Sequence, residues 1–138
     1  MVYSAKFSVQ TQGNDDMLDI TGQVEQALLQ SGLLNGIATV FVVGSTAAVT
    51  TIEYEPGLQQ DMAQVMERIA PRDAFYAHEA RWKDDNGHSH IRASILGPSL
   101  TVPFVNGQLV IGTWQQIVLV DFDTRPRNRT VHVQIIGE

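Results

Sequence analysis

The chain has 138 residues, 43% of them hydrophobic, with 15 acidic against 9 basic residues and a formal charge of −6. That length suits one domain with its own core. The acidic balance argues against nucleic acid or an anionic membrane as the main partner, because both need a basic face. The lack of cysteine excludes disulfides, thiolate catalysis and cysteine-ligated metal.

Val2 to Thr11 alternates as a strand, with Tyr3, Ala5, Phe7 and Val9 on one face. A short helix opens at Thr21-Gly22, runs through Val24, Ala27 and Leu28, and closes at Ser31-Gly32 with glycine in the C-cap position. Gly36 to Val43 is a β-branched run suited to a buried strand. Gly44 breaks it, and Ala47 to Tyr54 reads as the next strand. Pro56-Gly57 starts the clearest helix: Leu58, Met62, Val65, Met66 and Ile69 recur at helical spacing, and Pro71 ends it. Arg72 to Gly87 has no clean period and carries the polar run Lys83-Asp84-Asp85-Asn86-Gly87.

From His88 onward the pattern predicts strands. One begins at His88 and runs through Ile91 to Leu96, and a second spans Leu100 to Val105. Asn106-Gly107 is a strong hairpin signal leading to Gln108–Ile111. Gln116 to Phe122 and Thr130 to Ile136 form a further pair, joined by the turn-rich segment 123–128. Two or three helices beside about seven strands, mostly antiparallel and hairpin-connected, define an α+β sandwich in one domain over residues 1–138. No stretch has signal-peptide character, and the longest apolar run, Ile37 to Val43, is too short for a bilayer. A cytoplasmic protein with no membrane partner is the expectation.

Three of the four histidines fall in one window: His78, His88 and His90. On a strand beginning at His88, residues i and i+2 share a face, so His88 and His90 would project together as divalent-metal ligands, with His78 returning through the loop. Arg92 would lie on that same face, a fixed cation suited to phosphate or pyrophosphate. Glu53 and Glu55 share a face by the same logic and offer a general base or a carboxylate ligand. Gly44-Ser45-Thr46 joins two strands, where a glycine turn offers backbone N–H groups and two hydroxyls to a phosphate; any tight turn also favours these residue types. Trp114 could stack on a flat ring and Gln115 read its edge. His132, inside an apolar strand, reads as structural, and Arg125, Arg127 and Arg129 as a solvated hairpin tip or a rim of ion pairs rather than a phosphate clamp.

Several blocks together resemble the YjbQ-like family: Ser99 to Gly107, Gly112-Thr113-Trp114-Gln115-Gln116-Ile117, Ser45-Thr46-Ala47-Ala48, Glu53 with Glu55, His88 to Ser94, and the ending Gln134 to Glu138. The resemblance covers nearly the whole chain in order. It implies an α+β sandwich assembled as a homotrimer and a weak secondary thiamine-phosphate synthase activity. It further implies a histidine cluster of His78, His88 and His90, which with an open fourth position would suit zinc. One departure is Gly44, where many relatives carry histidine; others are Ile52 and Tyr54, where relatives often have Asn. Two readings follow. The first is a metal-assisted enzyme on phosphorylated small molecules, with Glu53 and Arg92 catalytic, Ser45, Thr46, Trp114 and Gln115 binding substrate, and the three histidines holding the metal. The second is a non-catalytic trimer that binds a metal or a metabolite.

Overall fold

The computed structural model describes residues 1–82 and 84–138; Lys83, in the polar run noted above, lies outside them. In chain order the elements are β1 (Val2–Thr11), β2 (Asp16–Asp19), α1 (Thr21–Ser31), β3 (Gly36–Val42), β4 (Ala47–Ile52), α2 (Pro56–Ile69), α3 (Ala77–Trp82), α4 (Gly87–Leu96), β5 (Ser99–Val105), β6 (Gln108–Leu109), β7 (Gln116–Asp121) and β8 (Arg127–Gly137). They form a five-stranded sheet in the order β1-β8-β3-β5-β6 and a three-stranded sheet in the order β2-β7-β4. All pairings are antiparallel. The α+β class is as expected, with four helices among the described residues rather than two or three.

Alternation along β8 shows how the core is built. Val131, Val133 and Ile135 are buried while His132 and Gln134 face outward, so His132 is a surface residue of its strand. The buried row meets Ala38, Val40 and Val42 of β3 and, across the gap, Ala47, Val49, Ile117 and Leu119 of the smaller sheet. Helix α1 joins this core with Val24, Ala27 and Leu28. Its chain reversal uses Gly32 at φ 69, a left-handed value that glycine adopts without a Cβ penalty.

Strand β7 has no polar alternation because both its faces are covered. Val118 and Val120 point away from the first core and pack with Met17, Ala48, Met66, Ala93 and Phe122 in a second one. Met66 belongs to α2 and Ala93 to α4, so the layers run sheet, sheet, helices. Each fully buried Val, Leu or Ile contributes roughly 1.5–3 kcal/mol, and the strand shared by both cores gains on each face. Helix α2 starts where Glu55 caps it: its carboxylate accepts from Leu58 N–H (2.6 Å) and Gly57 N–H (2.8 Å), and Pro56 takes the first position.

Two expectations are corrected. The segment from His88 to Leu96 is helix α4, not a strand: Ser89, Ala93 and the partly buried Leu96 recur at i, i+4 and i+7, while Ile91 and Ile95 stay exposed. The strands β7 and β8 do not pair. The turn between them carries the chain from one sheet to the other, and β8 pairs instead with β1 and β3. Among the described residues no helix is long and apolar enough to cross a membrane.

Candidate functional site

The crossing from β7 to β8 places an acidic pair opposite a basic pair. Asp121 and Asp123 are fully buried, Arg129 is nearly so, and Arg127 is half-buried beside them. Period-two spacing explains the pairing, since i and i+2 on each arm share a face. Arg129 grips Asp121 with two bonds, Nε to Oδ2 at 2.7 Å and Nη2 to Oδ1 at 2.9 Å. Thr11 donates to the same carboxylate at 2.6 Å. Nη2 of Arg129 also donates to Thr46 Oγ1 (2.6 Å), whose own hydroxyl donates to Asp123 Oδ2 (2.9 Å).

From Asp123 the network continues outward. Asn86 Nδ2 donates to Asp123 Oδ1 (3.3 Å), which leaves Asn86 Oδ1 as the acceptor facing His78 Nε2 at 3.2 Å. A carbonyl oxygen can only accept, so Nε2 of His78 carries the proton and its Nδ1 is the free ring nitrogen in the neutral form. The ring of His90 lies against that of His78, with centroids 4.6 Å apart. Burial alone would raise the pKa of Asp123, but hydrogen bonds from Thr124 N–H, Thr46 and Asn86 and the charge of Arg127 outweigh it and hold the carboxyl below its usual range. Asp123 is therefore the fixed anion of the cluster.

The three predicted metal histidines are not brought together. Successive helical residues turn about 100°, so two steps send His88 and His90 to opposite sides of α4. His88 is buried at 1% exposure against Tyr76 and Ser89, while His90 meets His78. Among the described residues no set of three His, Cys, Asp or Glu side chains gathers to hold a metal ion.

Arg92 turns inward beside His88 and is neutralised on three sides. It donates to Asp15 (2.9 and 3.2 Å), to Glu67 (2.6 Å) and to the Ala70 carbonyl (3.0 Å). All three of its nitrogens are taken, so it is a strut rather than a free phosphate clamp. Glu53 lies exposed past the end of β4; at about 3.3 Å per strand residue it stands roughly 20 Å from Thr46. Glu55 is the helix cap described above. Trp114 is 72% exposed, and Gln115 donates to Thr51 (3.2 Å) at the Glu53 end of β4. Of the predicted residues, Thr46, His78 and His90 share one site with Ser45 beside it, and Trp114, Gln115 and Glu53 lie at the other end.

Asn86, Asp121 and Asp123 escaped the sequence reading as site residues, and Arg127 and Arg129 entered it only as a hairpin tip or a rim of ion pairs. The available signal was Asp121-Phe122-Asp123 followed by Arg127-Asn128-Arg129, two i, i+2 charge pairs of opposite sign across a short turn. Alternating charges inside otherwise apolar strands point inward together or outward together, and here the neighbours Val120 and Val131 are core.

The buried histidines give this site a pH dependence. Burial depresses the pKa of His88, with the charges of Arg92 and Arg72 adding to it. Burial and then the neighbouring His78 depress that of His90. A depressed imidazole is neutral in the fold, and the unfolded chain binds more protons below its ordinary value of about 6.5. The stability linked to these groups is therefore complete above about pH 6.5 and is lost as the pH falls through that value toward the folded ones. Thermal melts between about pH 7.5 and pH 5 should show a falling midpoint, with a smaller fall in His88→Gln. Equal slopes in both proteins would contradict this assignment.

The antiparallel α+β sandwich of this chain is a fold already represented among solved structures. A YbjQ-like protein of unknown function from Sulfolobus solfataricus P2 superposes with a TM-score of 0.94 at 38% identity, covering 100% of this chain and 99% of that one. A hypothetical protein from Aeropyrum pernix K1 gives 0.90 at 36% identity, with 98% of each chain covered. In sequence, a UPF0047 protein of Methanothermobacter thermautotrophicus is 40% identical over 137 residues, 99% of this chain and 94% of its own. The family model described as "UPF0047 protein YjbQ-like" matches residues 5–138. The chain belongs to the YjbQ-like UPF0047 family.

Proposed function

We propose that this protein is an enzyme acting on phosphorylated small molecules at the His78–Asn86–Asp123–Thr46–Arg129 cluster. The observation that carries the reading is the unbroken polar chain through that cluster, with links of 2.6–3.3 Å, much of it buried. Buried charges give little net stability over apolar packing, and titratable groups concentrated this way mark functional sites. His90, neutral near physiological pH by its lowered pKa, accepts the proton. His78 is oriented by Asn86, and Asn86 by Asp123. The Gly44–Thr46 turn receives the phosphoryl end. The family resemblance points first to thiamine-phosphate synthesis, which joins a pyrimidine pyrophosphate to a thiazole phosphate and releases pyrophosphate.

A zinc held by His78, His88 and His90 does not fit, because α4 turns His88 away, and no step here runs through a metal. Trp114 and Gln115 could serve the same pocket only from another copy of the chain, since β4 separates them from Thr46. The homotrimer belongs to this proposal on that ground.

One preparation without a histidine tag tests the reading. We expect turnover by the wild type, a loss of about 10²–10⁴-fold in His90→Ala, no stoichiometric metal by elemental analysis, and a trimer mass by light scattering. Unchanged turnover in a folded His90→Ala would take the proton transfer away from His90, and no turnover by the wild type would sink the enzymatic reading. A second reading, a non-catalytic metabolite-binding protein, would then stand, favoured by the neutralised Arg92 and the distant Glu53.

A further inference from the structure

Arg129 is 7% exposed, and one side of its fork is fully committed to Asp121 and Thr46. Its Nη1 donates to no described residue. Yet among the described residues no buried side-chain nitrogen or oxygen lacks a partner, so Nη1 must reach solvent. It does so against Gly44, where an added Cβ would lie 2.5 Å from it. Glycine is therefore needed twice here: for φ 127, and for the space the guanidinium fills.

The same turn holds further unused donors. The backbone N–H groups of Gly44, Ser45 and Thr46 make no hydrogen bond to any described backbone or side-chain acceptor, and the exposed Ser45 hydroxyl makes none either. Successive free N–H groups in a glycine turn form an oxyanion-binding concavity, and a guanidinium nitrogen adds a charge-assisted donor. Gly44 and Ser45 also wall a cleft of about 160 Å³ that reaches Ala93 and Ser94 of α4. At ~30 Å³ per water it holds about five waters, which is room for a phosphate group and little more. The neighbouring Asp121 and Asp123 are paired with Arg129 and Arg127, so recognition comes from directed donors rather than from net positive charge.

We infer that the Gly44–Thr46 turn and Nη1 of Arg129 form a subsite for the oxygens of a phosphoryl group, with Gly44 the residue that admits the guanidinium. This rests on the reading that the site takes phosphorylated small molecules.

The test titrates the ¹⁵N-labelled full chain with inorganic phosphate, then with pyrophosphate, without added metal. The amide signals of Gly44, Ser45 and Thr46 and the side-chain signals of Arg129 should shift together and saturate. Gly44→Ala, which displaces Nη1, should weaken the fitted affinity about tenfold or more, the scale of one charge-assisted hydrogen bond. Arg129→Lys keeps a cation beside Asp121 but has no second nitrogen to turn outward, and it should show the same loss with the rest of the amide spectrum intact. Unmoved turn signals, or equal affinity in the wild type and both variants, overturn the subsite. Saturable phosphate binding at the turn without turnover keeps the subsite and removes the enzymatic reading. Turnover with silent turn signals does the reverse.

Discussion

Arg129→Met should lower the free energy of unfolding by about 3–5 kcal/mol, the cost of leaving a buried charge without its partner. The residue at risk is Asp121, which has no solvent exposure and takes two bonds from Arg129. Thr11 alone remains as a side-chain donor to it, and a neutral hydroxyl cannot offset a full charge in that setting. Against a typical total of 5–15 kcal/mol the loss leaves a marginal protein. Urea unfolding of Arg129→Met, Asp121→Asn and the double variant closes the cycle. The double variant should be more stable than the sum of the two single losses predicts, because it no longer buries an orphan carboxylate. Strict additivity, or a loss below about 1 kcal/mol in the single variant, would show that the pair is not a strut.

Arg92→Met should cost on the order of 3 kcal/mol, less than the full range for a buried pair because Glu67 lies half in solvent. The effect should also be local. Arg92 ties α4 to the carbonyl after α2, to Glu67 on α2 and to Asp15 in the loop before β2. These are the elements that frame the segment carrying His78. Hydrogen exchange should therefore quicken across residues 71–82 and in α4 before it quickens in β7 or β8. Uniformly faster exchange over the whole chain would mean that Arg92 supports global stability alone.

Periodicity made most of the fold legible where one face of an element is buried. The strand from Val2, the helix ended by Gly32, the helix opened by Pro56 and the Asn106-Gly107 hairpin all appear where the residues place them. Helix α4 was misread because His88, His90 and Arg92 suggest a polar face of period two. The small residues Ser89 and Ala93 that set its real buried side carry little hydrophobic signal. The pairing of β7 with β8 failed for another reason: a short turn can join two strands of one sheet or pass between sheets. Only the apolar character of β7 on both faces separates the cases.

The site was half legible. Ser45, Thr46, His78 and His90 were named from the sequence, and the structure gathers Thr46, His78 and His90 about Asp123, with Ser45 next to Thr46. The arginines that hold them were read as a solvated hairpin tip or a rim of ion pairs, and their acidic partners Asp121 and Asp123 were passed over. The ion pairs are there but buried, and their local sign is the spacing of Asp121 and Asp123 against Arg127 and Arg129 across the turn.

The pairing of β1 with β8 bears on how the chain is made. Even the nearest partners in that register, Thr11 and Arg127, stand 116 residues apart. At about 5–20 residues per second, β1 waits roughly 6–23 s before its partner is synthesised. Throughout that interval Tyr3, Phe7 and Val9 form an apolar row on an open strand edge, a template for another chain. The larger sheet can close only once β8 has been made, so overexpression should favour inclusion bodies unless growth is slowed or a chaperone shields β1.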